Sequence, residues 1–401
     1  MGMDKKFFQA NRQRLIETLK GGIIVLSGYS AMQRGNDASF AFEQEANFWW
    51  LTGIDQPDWW IIIDGIRNKS WLVAPTISSS HQIFDGSLSV QEASKISGID
   101  TILSNDDAMT LLRDLAKKHS IAYAVGDHPY AEHFDFVVNP AQKKLHQILE
   151  RIFNDVTDVQ LDIAKLRAIK QPEEISAIKR AIKLTIKSFE DVKVLLPELK
   201  TEYEIEAEFT YAFRRAGSNG HAYDPIVADG KNACTLHYGQ NKDRLKKNTL
   251  VLMDIGARVD GYAADITRTY AYGEPTARQK EVHTAVEDAH KQIIKLLSPG
   301  LSVSEYNDKV DSIMKLALDR LGLLKTDNDY RIYFPHAISH GLGVDVHDSL
   351  GRPTHFLENM VLTVEPGIYI PEEGIGVRIE DDILITSTGR QNLSAALPTR
   401  L

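Results

Sequence analysis

Four carboxylates and one histidine, Asp254, Asp265, His340, Glu365 and Glu380, stand inside or at the ends of runs that otherwise read as protein core. Asp254 follows Leu250-Val251-Leu252-Met253, and Asp265 lies in Tyr262-Ala263-Ala264-Asp265-Ile266. Glu365 ends Met360-Val361-Leu362-Thr363-Val364, and Glu380 follows Gly376-Val377-Arg378-Ile379. A carboxylate withdrawn from water must be paired, hydrogen-bonded or bound to metal, because an isolated buried charge is too costly. Taken singly, each reads as an exposed strand residue or a salt-bridge partner. Together, with few cations in the same runs, they point to a metal centre and to hydrolytic chemistry.

The segment Pro335 to Asp348, between the two carboxylate pairs, adds His336, His340 and His347, three of the thirteen histidines in the chain. His336 and His340 stand four apart, but Ala337 occupies the position where a zincin helix carries its glutamate. Gly341 and Gly343 also disfavour a helix, so the zincin pattern is excluded. One imidazole among four carboxylates is an oxygen-dominated ligand set. It favours Mn²⁺ and is compatible with Co²⁺, Fe²⁺ or Zn²⁺. Four carboxylates balance the charge of two divalent ions, so a pair of metals is expected. Arg378 stands two residues before Glu380 and therefore on the same strand face, where it can offset the charge of a hydroxide between the ions.

These residues need elements to hold them. The midpoint of Asp254 and Asp265 falls beside Asp260-Gly261, a hairpin-turn dipeptide, and the midpoint of Glu365 and Glu380 falls within Pro371-Glu372-Glu373-Gly374, again turn chemistry. Each pair is therefore expected roughly cross-strand on an antiparallel hairpin. Two helices precede each hairpin. The first two begin at Pro172, where proline and the acidic Glu173-Glu174 suit a first turn, and at Glu202, ending near Gly217. The second two span about residues 276–298 and 302–321, so the region carries an internal symmetry.

Before residue 155 the chain reads as a mixed α/β domain. Strands are expected at 22–27, 47–51, 59–63, 71–74 and 121–125 from β-branched and aromatic content, and helices at 106–119 and 140–153. A polar stretch, 155–162, marks the expected boundary. At 401 residues the chain has room for two domains. A net charge of −9 argues against non-specific nucleic-acid or membrane-surface binding. Cys234 is the single cysteine, which excludes an intrachain disulfide framework. The start lacks the apolar core of a signal peptide, Gly2 is followed by Lys6 where a myristoylation site wants Ser or Thr, and Trp59-Trp60-Ile61-Ile62-Ile63 is far too short to span a membrane. The expectation is a cytoplasmic protein with no nucleic-acid or membrane partner.

The ordered set Asp254, Asp265, His340, Glu365, Glu380 resembles the metal ligands of the Xaa-Pro peptidases, aminopeptidase P and prolidase, which share the pita-bread metallopeptidase fold. Leu166-Arg167-Ala168-Ile169-Lys170-Gln171-Pro172 is similar to that family's linker, and Asn232-Ala233-Cys234-Thr235-Leu236-His237-Tyr238, Asp265-Ile266-Thr267-Arg268-Thr269, Thr363-Val364-Glu365-Pro366-Gly367 and Arg378-Ile379-Glu380-Asp381-Asp382 resemble its catalytic blocks. Phe42-Glu43-Gln44 with Asn47 to Gly53 is similar to its N-terminal domain. The resemblance implies an α+β chain: an N-terminal mixed α/β domain of creatinase/prolidase type (1–155), for dimerisation and substrate-channel capping, then a pita-bread catalytic domain (156–401).

It also implies roles. Asp254 would bind one divalent metal, His340 with Glu365 the other, and Asp265 and Glu380 would bridge, with a hydroxide as nucleophile. Glu365 would shuttle a proton to the leaving nitrogen, His237 and His347 would contact the scissile carbonyl and its oxyanion, and His336, Tyr223 and Arg378 would support metals and substrate. Tyr223 and Tyr369 are each read as packing as readily as function. The family has Gly where this chain has Ala337, a change that matters only if the backbone there needs a positive φ. The implied activity is Xaa-Pro aminopeptidase, with prolidase as the alternative and a homodimer as the implied assembly; substrates would be proline-containing peptides or dipeptides. Methionine aminopeptidase shares the ligands, but the extra N-terminal domain and the Arg378 to Asp382 block speak against it. A creatine-type amidinohydrolase does not require this ligand set. A non-catalytic pita-bread peptide-binding module typically loses ligands that this chain keeps.

Overall fold

The computed structural model describes residues 2–126, 135–326 and 328–401. The chain divides into two compact units, Met1–Leu166 and Arg167–Leu401.

The first unit is built on one mixed sheet of β1 (Ile23–Ser27), β2 (Trp60–Asp64), β3 (Lys69–Val73), β4 (Ile102–Leu103), β5 (Ile121–Ala124) and β6 (Asp155–Asp158), in the order β4-β3-β2-β1-β5-β6. Among the described residues its helices include α1 (Lys5–Thr18), α2 (Ala46–Thr52), α3 (Ser79–Phe84), α4 (Val90–Ser97), α5 (Asn105–Ala116) and α6 (Pro140–Glu150). Ile23, Val25, Ile62 and Trp71 of the sheet pack against Leu112, Leu115, Leu145 and Leu149 of α5 and α6. The 47–51 run is a helix, not the expected strand. The Glu45 carboxylate caps it by accepting from Phe48 N–H, and Gly53, at φ 71°, closes it in the left-handed conformation. Phe48, Trp50 and Leu51 are all buried, so the aromatic run never needed to alternate. The boundary also lies later than 155. The polar 155–158 segment is an edge strand paired in parallel with β5, and helix α7 (Gln160–Ala168) follows it.

The second unit repeats one theme twice. Helices α8 (Pro172–Leu195) and α9 (Glu202–Arg215) precede strands β7 (Gly220–His221), β8 (Ile226–Asp229), β9 (Thr249–Ile255), β10 (Ala257–Val259), β11 (Tyr262–Ala263) and β12 (Ile266–Tyr272). Helices α10 (Ala277–Leu296), α11 (Val303–Arg320) and the short α12 (Asp329–Tyr333) precede β13 (Val361–Val364), β14 (Gly367–Ile370), β15 (Ile375–Arg378), β16 (Asp381–Thr386) and β17 (Gly389–Asn392). Val286 and Ile293 of α10 and Val310 and Met314 of α11 share a core with Leu362, Val364, Ile368 and Val377 of the second hairpin.

Both hairpins form, with different registers. Asp260 and Gly261, at φ 52° and 83°, make the first turn. Because Asp254 pairs with Thr267, Asp265 lies two residues off the directly opposite position. It is a diagonal neighbour on the same face, not the cross-strand partner expected. In the second hairpin Gly367 pairs with Arg378 and Val364 with Asp381. Glu365 and Glu380 therefore stand directly opposite, in the gap between the two ladder segments.

Candidate metal centre

Alternation along the strands turns these residues inward. Asp254 is the penultimate residue of an almost wholly buried strand, and Glu380 sits between β15, buried throughout, and β16, buried in all but its last residue. Donor atoms of Asp265, His340 and Glu380 all lie within 4.8 Å of one another, a grouping able to hold a metal ion. His340 Nε2 is 3.4 Å from Asp265 Oδ2 and 3.5 Å from Glu365 Oε1. Its Nδ1 lies 3.0 Å from the Gly341 carbonyl. That contact requires a proton on Nδ1, while Nε2 faces the carboxylates. Asp254 joins through Tyr223, whose hydroxyl is 2.6 Å from both Asp254 Oδ1 and Asp265 Oδ1. One phenolic proton cannot serve two anionic acceptors at once.

Arg378 closes the opposite side. Its Nη2 donates to Asp254 Oδ2 at 2.6 Å, Nη1 to the Tyr369 hydroxyl at 2.9 Å and Nε to Thr267 Oγ1 at 3.2 Å. Thr267 Oγ1 donates to Glu380 Oε2 at 2.6 Å, so one threonine joins Arg378 to Glu380. Tyr369 belongs to the site, because its hydroxyl also meets His336 Nε2 at 2.9 Å. His336 Nδ1 lies 3.7 Å from Glu365 Oε2. Ala337 adopts no positive φ, so the missing glycine costs the His336 segment nothing.

The electrostatics are those of a carboxylate cluster short of cations. Burial raises Glu380 well above the ordinary glutamate value, and the Asp265, Glu365 and Asp254 charges add to the effect. Burial lifts Glu365 to about 7, against the opposing pull of His340 and Arg378. Asp265 is raised first by burial. Burial would lower His340, but Asp265 and Glu365 lift it to about 9. Asp382, which accepts from the Asp265 N–H at 3.2 Å, keeps its other oxygen buried with no hydrogen-bond partner. Hard oxygen donors crowded around one imidazole suit divalent cations, and positive charge there would relieve the repulsion that raises these groups. The residues fit a metal centre.

Two further histidines approach it. The His347 ring centroid lies 4.1 Å from that of His340, the two planes tilted by 42°, and burial with His340 and His237 holds it down at about 4. Burial, then the Arg378 charge, brings His336 to about 3. His237 is solvent-exposed and lies near enough to both rings to act on their charge. Its loop is shaped by the buried Glu202 carboxylate, which accepts from Asp229 N–H and Asp243 N–H at 2.8 Å and from Tyr238 at 2.9 Å. All the expected site residues thus converge on the second unit. The sequence reading missed Thr267, Asp382 and Glu202. Thr267 and Asp382 each follow a candidate ligand by two residues, the same strand-face spacing that singled out Arg378.

The segment with His340 and His347 is closed by a bridge between Gly341 and Asp348. The Asp348 carboxylate takes Arg167 Nη2 at 2.9 Å and Lys170 Nζ at 3.0 Å, with all three side chains at or below 5% exposure. A Cβ on Gly343 would sit 1.9 Å from Asp348 Oδ2, so only glycine fits there.

Sequence comparison agrees with this geometry. The family model described as metallopeptidase family M24 matches residues 176–387, and that of the aminopeptidase P N-terminal domain matches residues 8–123. An Xaa-Pro aminopeptidase of Escherichia coli (strain K12) is 33% identical over 98% of this chain and 96% of its own length. Xaa-Pro aminopeptidase 3 of Mus musculus is 32% identical over 94% of this chain and 79% of its own. The solved structure of E. coli aminopeptidase P with the inhibitor Pro-Leu superposes at a TM-score of 0.85 with 30% identity, covering 100% of this chain and 97% of that one. A zinc-substituted form of that enzyme with product gives the same score. The chain therefore belongs to metallopeptidase family M24, with the two-domain architecture of aminopeptidase P and its pita-bread catalytic fold.

Proposed function

We propose that this chain is an Xaa-Pro aminopeptidase, which hydrolyses the bond before a proline in the second position and releases the N-terminal residue. The observation that carries the reading is the grouping of buried Asp265 and Glu380 with half-buried His340, in a chain alike over nearly its whole length to an Xaa-Pro aminopeptidase.

Asp254, Asp265, His340, Glu365 and Glu380 would hold two divalent ions, manganese foremost, with cobalt, zinc or iron as alternatives. Bound there, the ions would supply Lewis acidity and activate water. The scissile nitrogen is a tertiary amide with no N–H to grip, so recognition falls on the ring and the carbonyl. His237 and His347 would donate to the carbonyl oxygen as charge develops on it. Glu365 Oε would carry a proton to the departing nitrogen. His336, Tyr223 and Arg378 would hold the surrounding groups in place, and the short Tyr223 and Arg378 hydrogen bonds to Asp254 support that role. The reading includes a homodimer in the cytoplasm, with the N-terminal domain limiting peptide length.

The test measures bound metal and, under Mn²⁺, compares Xaa-Pro with Xaa-Pro-Xaa peptides. Metal-dependent cleavage of the longer peptides is expected. Cleavage of the dipeptide alone would make the enzyme a prolidase, and equal cleavage with alanine in the second position would reject proline specificity.

A further inference from the structure

Arg268 is fully buried, and its side chain spends every N–H it has. Nε donates to the Pro398 carbonyl at 3.1 Å. Nη1 donates to the carbonyls of Thr267 at 2.9 Å and Glu380 at 2.7 Å. Nη2 donates to Asp381 Oδ1 at 2.6 Å and to the Leu397 carbonyl at 2.8 Å. A guanidinium has five donors in a fixed planar fork, and here each has an acceptor. The Glu380 N–H in turn donates to the Thr267 carbonyl at 3.1 Å. The peptide groups on both sides of Glu380 are therefore fastened to the strand that begins just after Asp265. Asn392 takes the other Asp381 oxygen at 2.6 Å, and Thr399 bonds Glu287 of α10.

We propose that Arg268 is a positioning residue for Glu380, and that the segment 397–399, which contributes no ligand, is energetically coupled to metal binding through it. The inference rests on the reading of Asp265 and Glu380 as metal ligands. The strand ladders alone do not account for the arrangement. β12 pairs with β9 and β16 with β13 and β17, whereas the Arg268 fork joins one hairpin to the other at the residue that must reach the metal. The two carbonyls of 397 and 398 aim the fork. If they were lost, two donors would be left buried without acceptors, and the guanidinium would turn to find others.

Coupling of this kind is reciprocal, which makes it measurable in the unaltered protein. Hydrogen–deuterium exchange, followed by mass spectrometry on the metal-stripped chain with and without Mn²⁺, reads it directly. Peptides covering 250–270 and 376–386 should be protected by the ion. Peptides covering 394–401 should slow about fivefold or more, the lower end of ordinary coupling. Protection of the hairpins with no change in 394–401 would overturn the proposal. No protection anywhere, with no Mn²⁺ bound, would overturn the metal centre and this inference with it. Arg268→Lys supplies a second measure, because an ammonium cannot reproduce the fork. With its far-UV circular dichroism retained, the variant should bind Mn²⁺ about tenfold more weakly. Unchanged affinity in the folded variant would refute the positioning role, and should it not fold, the exchange measurement decides alone.

Discussion

Replacing Asp348 by Asn tests how firmly the histidine segment is held. The substitution keeps the shape of the side chain and removes its charge, leaving Lys170 Nζ beside a neutral group at the 3.0 Å spacing seen for the pair. At an effective dielectric constant of 20 the lost attraction at that distance is about 5 kcal/mol. Measured losses on removing one partner of a buried pair run at about 3–5 kcal/mol. Arg167 keeps Asp345 at 3.2 Å, but Asp345 is 49% exposed and its charge is screened. The expected destabilisation is therefore about 3–5 kcal/mol, or roughly 10 °C in the calorimetric transition of the second unit at fixed metal concentration. Lys170→Met in the same chain removes the stranded cation. The double variant should be less destabilised than the sum of the singles by roughly 2 kcal/mol. A loss below about 1 kcal/mol for Asp348→Asn, or strict additivity in the cycle, would refute the reasoning. Well below the transition, Asp348→Asn should also lower turnover, since His347 is its immediate neighbour.

His237→Ala and His347→Ala should each keep full metal content and lose about 10²–10³-fold in kcat; stoichiometric loss of metal from either would show that it is a ligand instead. Burial holds His283 at about 4, below its usual value near 6.5, so the unfolded chain binds the extra proton in that window. Its effect is absent above 6.5 and grows as the pH falls towards 4, reaching roughly 3 kcal/mol of lost stability. His283→Gln should flatten that part of the stability profile, and parallel profiles for the two proteins would contradict the assignment. Gly256→Ala would set a Cβ 1.8 Å from the Ala264 carbonyl oxygen and 2.8 Å from the Tyr223 ring. Backbone beside Asp265 must then move, and metal affinity should fall along with about 1–3 kcal/mol of stability; an unchanged Mn²⁺ titration would disprove the link.

The candidate carboxylates were conspicuous in the sequence because each interrupts a run that is otherwise apolar, and the structure brings donor atoms of Asp265, His340 and Glu380 within 4.8 Å of one another. The hairpin tips were readable from Asp260-Gly261 and Pro371 to Gly374. The register of the first hairpin differs because the ladder is centred between Asp260 and Gly261, with Val259 opposite Tyr262 and Ile255 opposite Ile266, one residue beyond the midpoint of Asp254 and Asp265. The helix at 46–52 escaped because seven residues give too little length for a 3.6-residue period, and its aromatics are buried almost all round. The edge strand at 155–158 is mostly exposed, so its polar residues looked like a linker. Thr267 and Asp382 were overlooked for a simpler reason. A threonine in a strand is ordinary, and Asp382 was one more acid in an already acidic block.

The distance along the chain between the groups that meet at the metal centre bears on how the protein reaches its native state. Thr267 and Glu380 are 113 residues apart, and Arg378 and Asp254 are 124 apart. Contacts that close such long loops carry their entropic cost before they return any stabilisation, so the constellation is expected to form late in assembly. An ion that needs this constellation has nothing to bind in the collapsing chain and cannot act as a template for it. Its influence falls on the reverse step: by binding only what is already built, it lowers the rate of escape from the native state and leaves the rate of arrival unchanged.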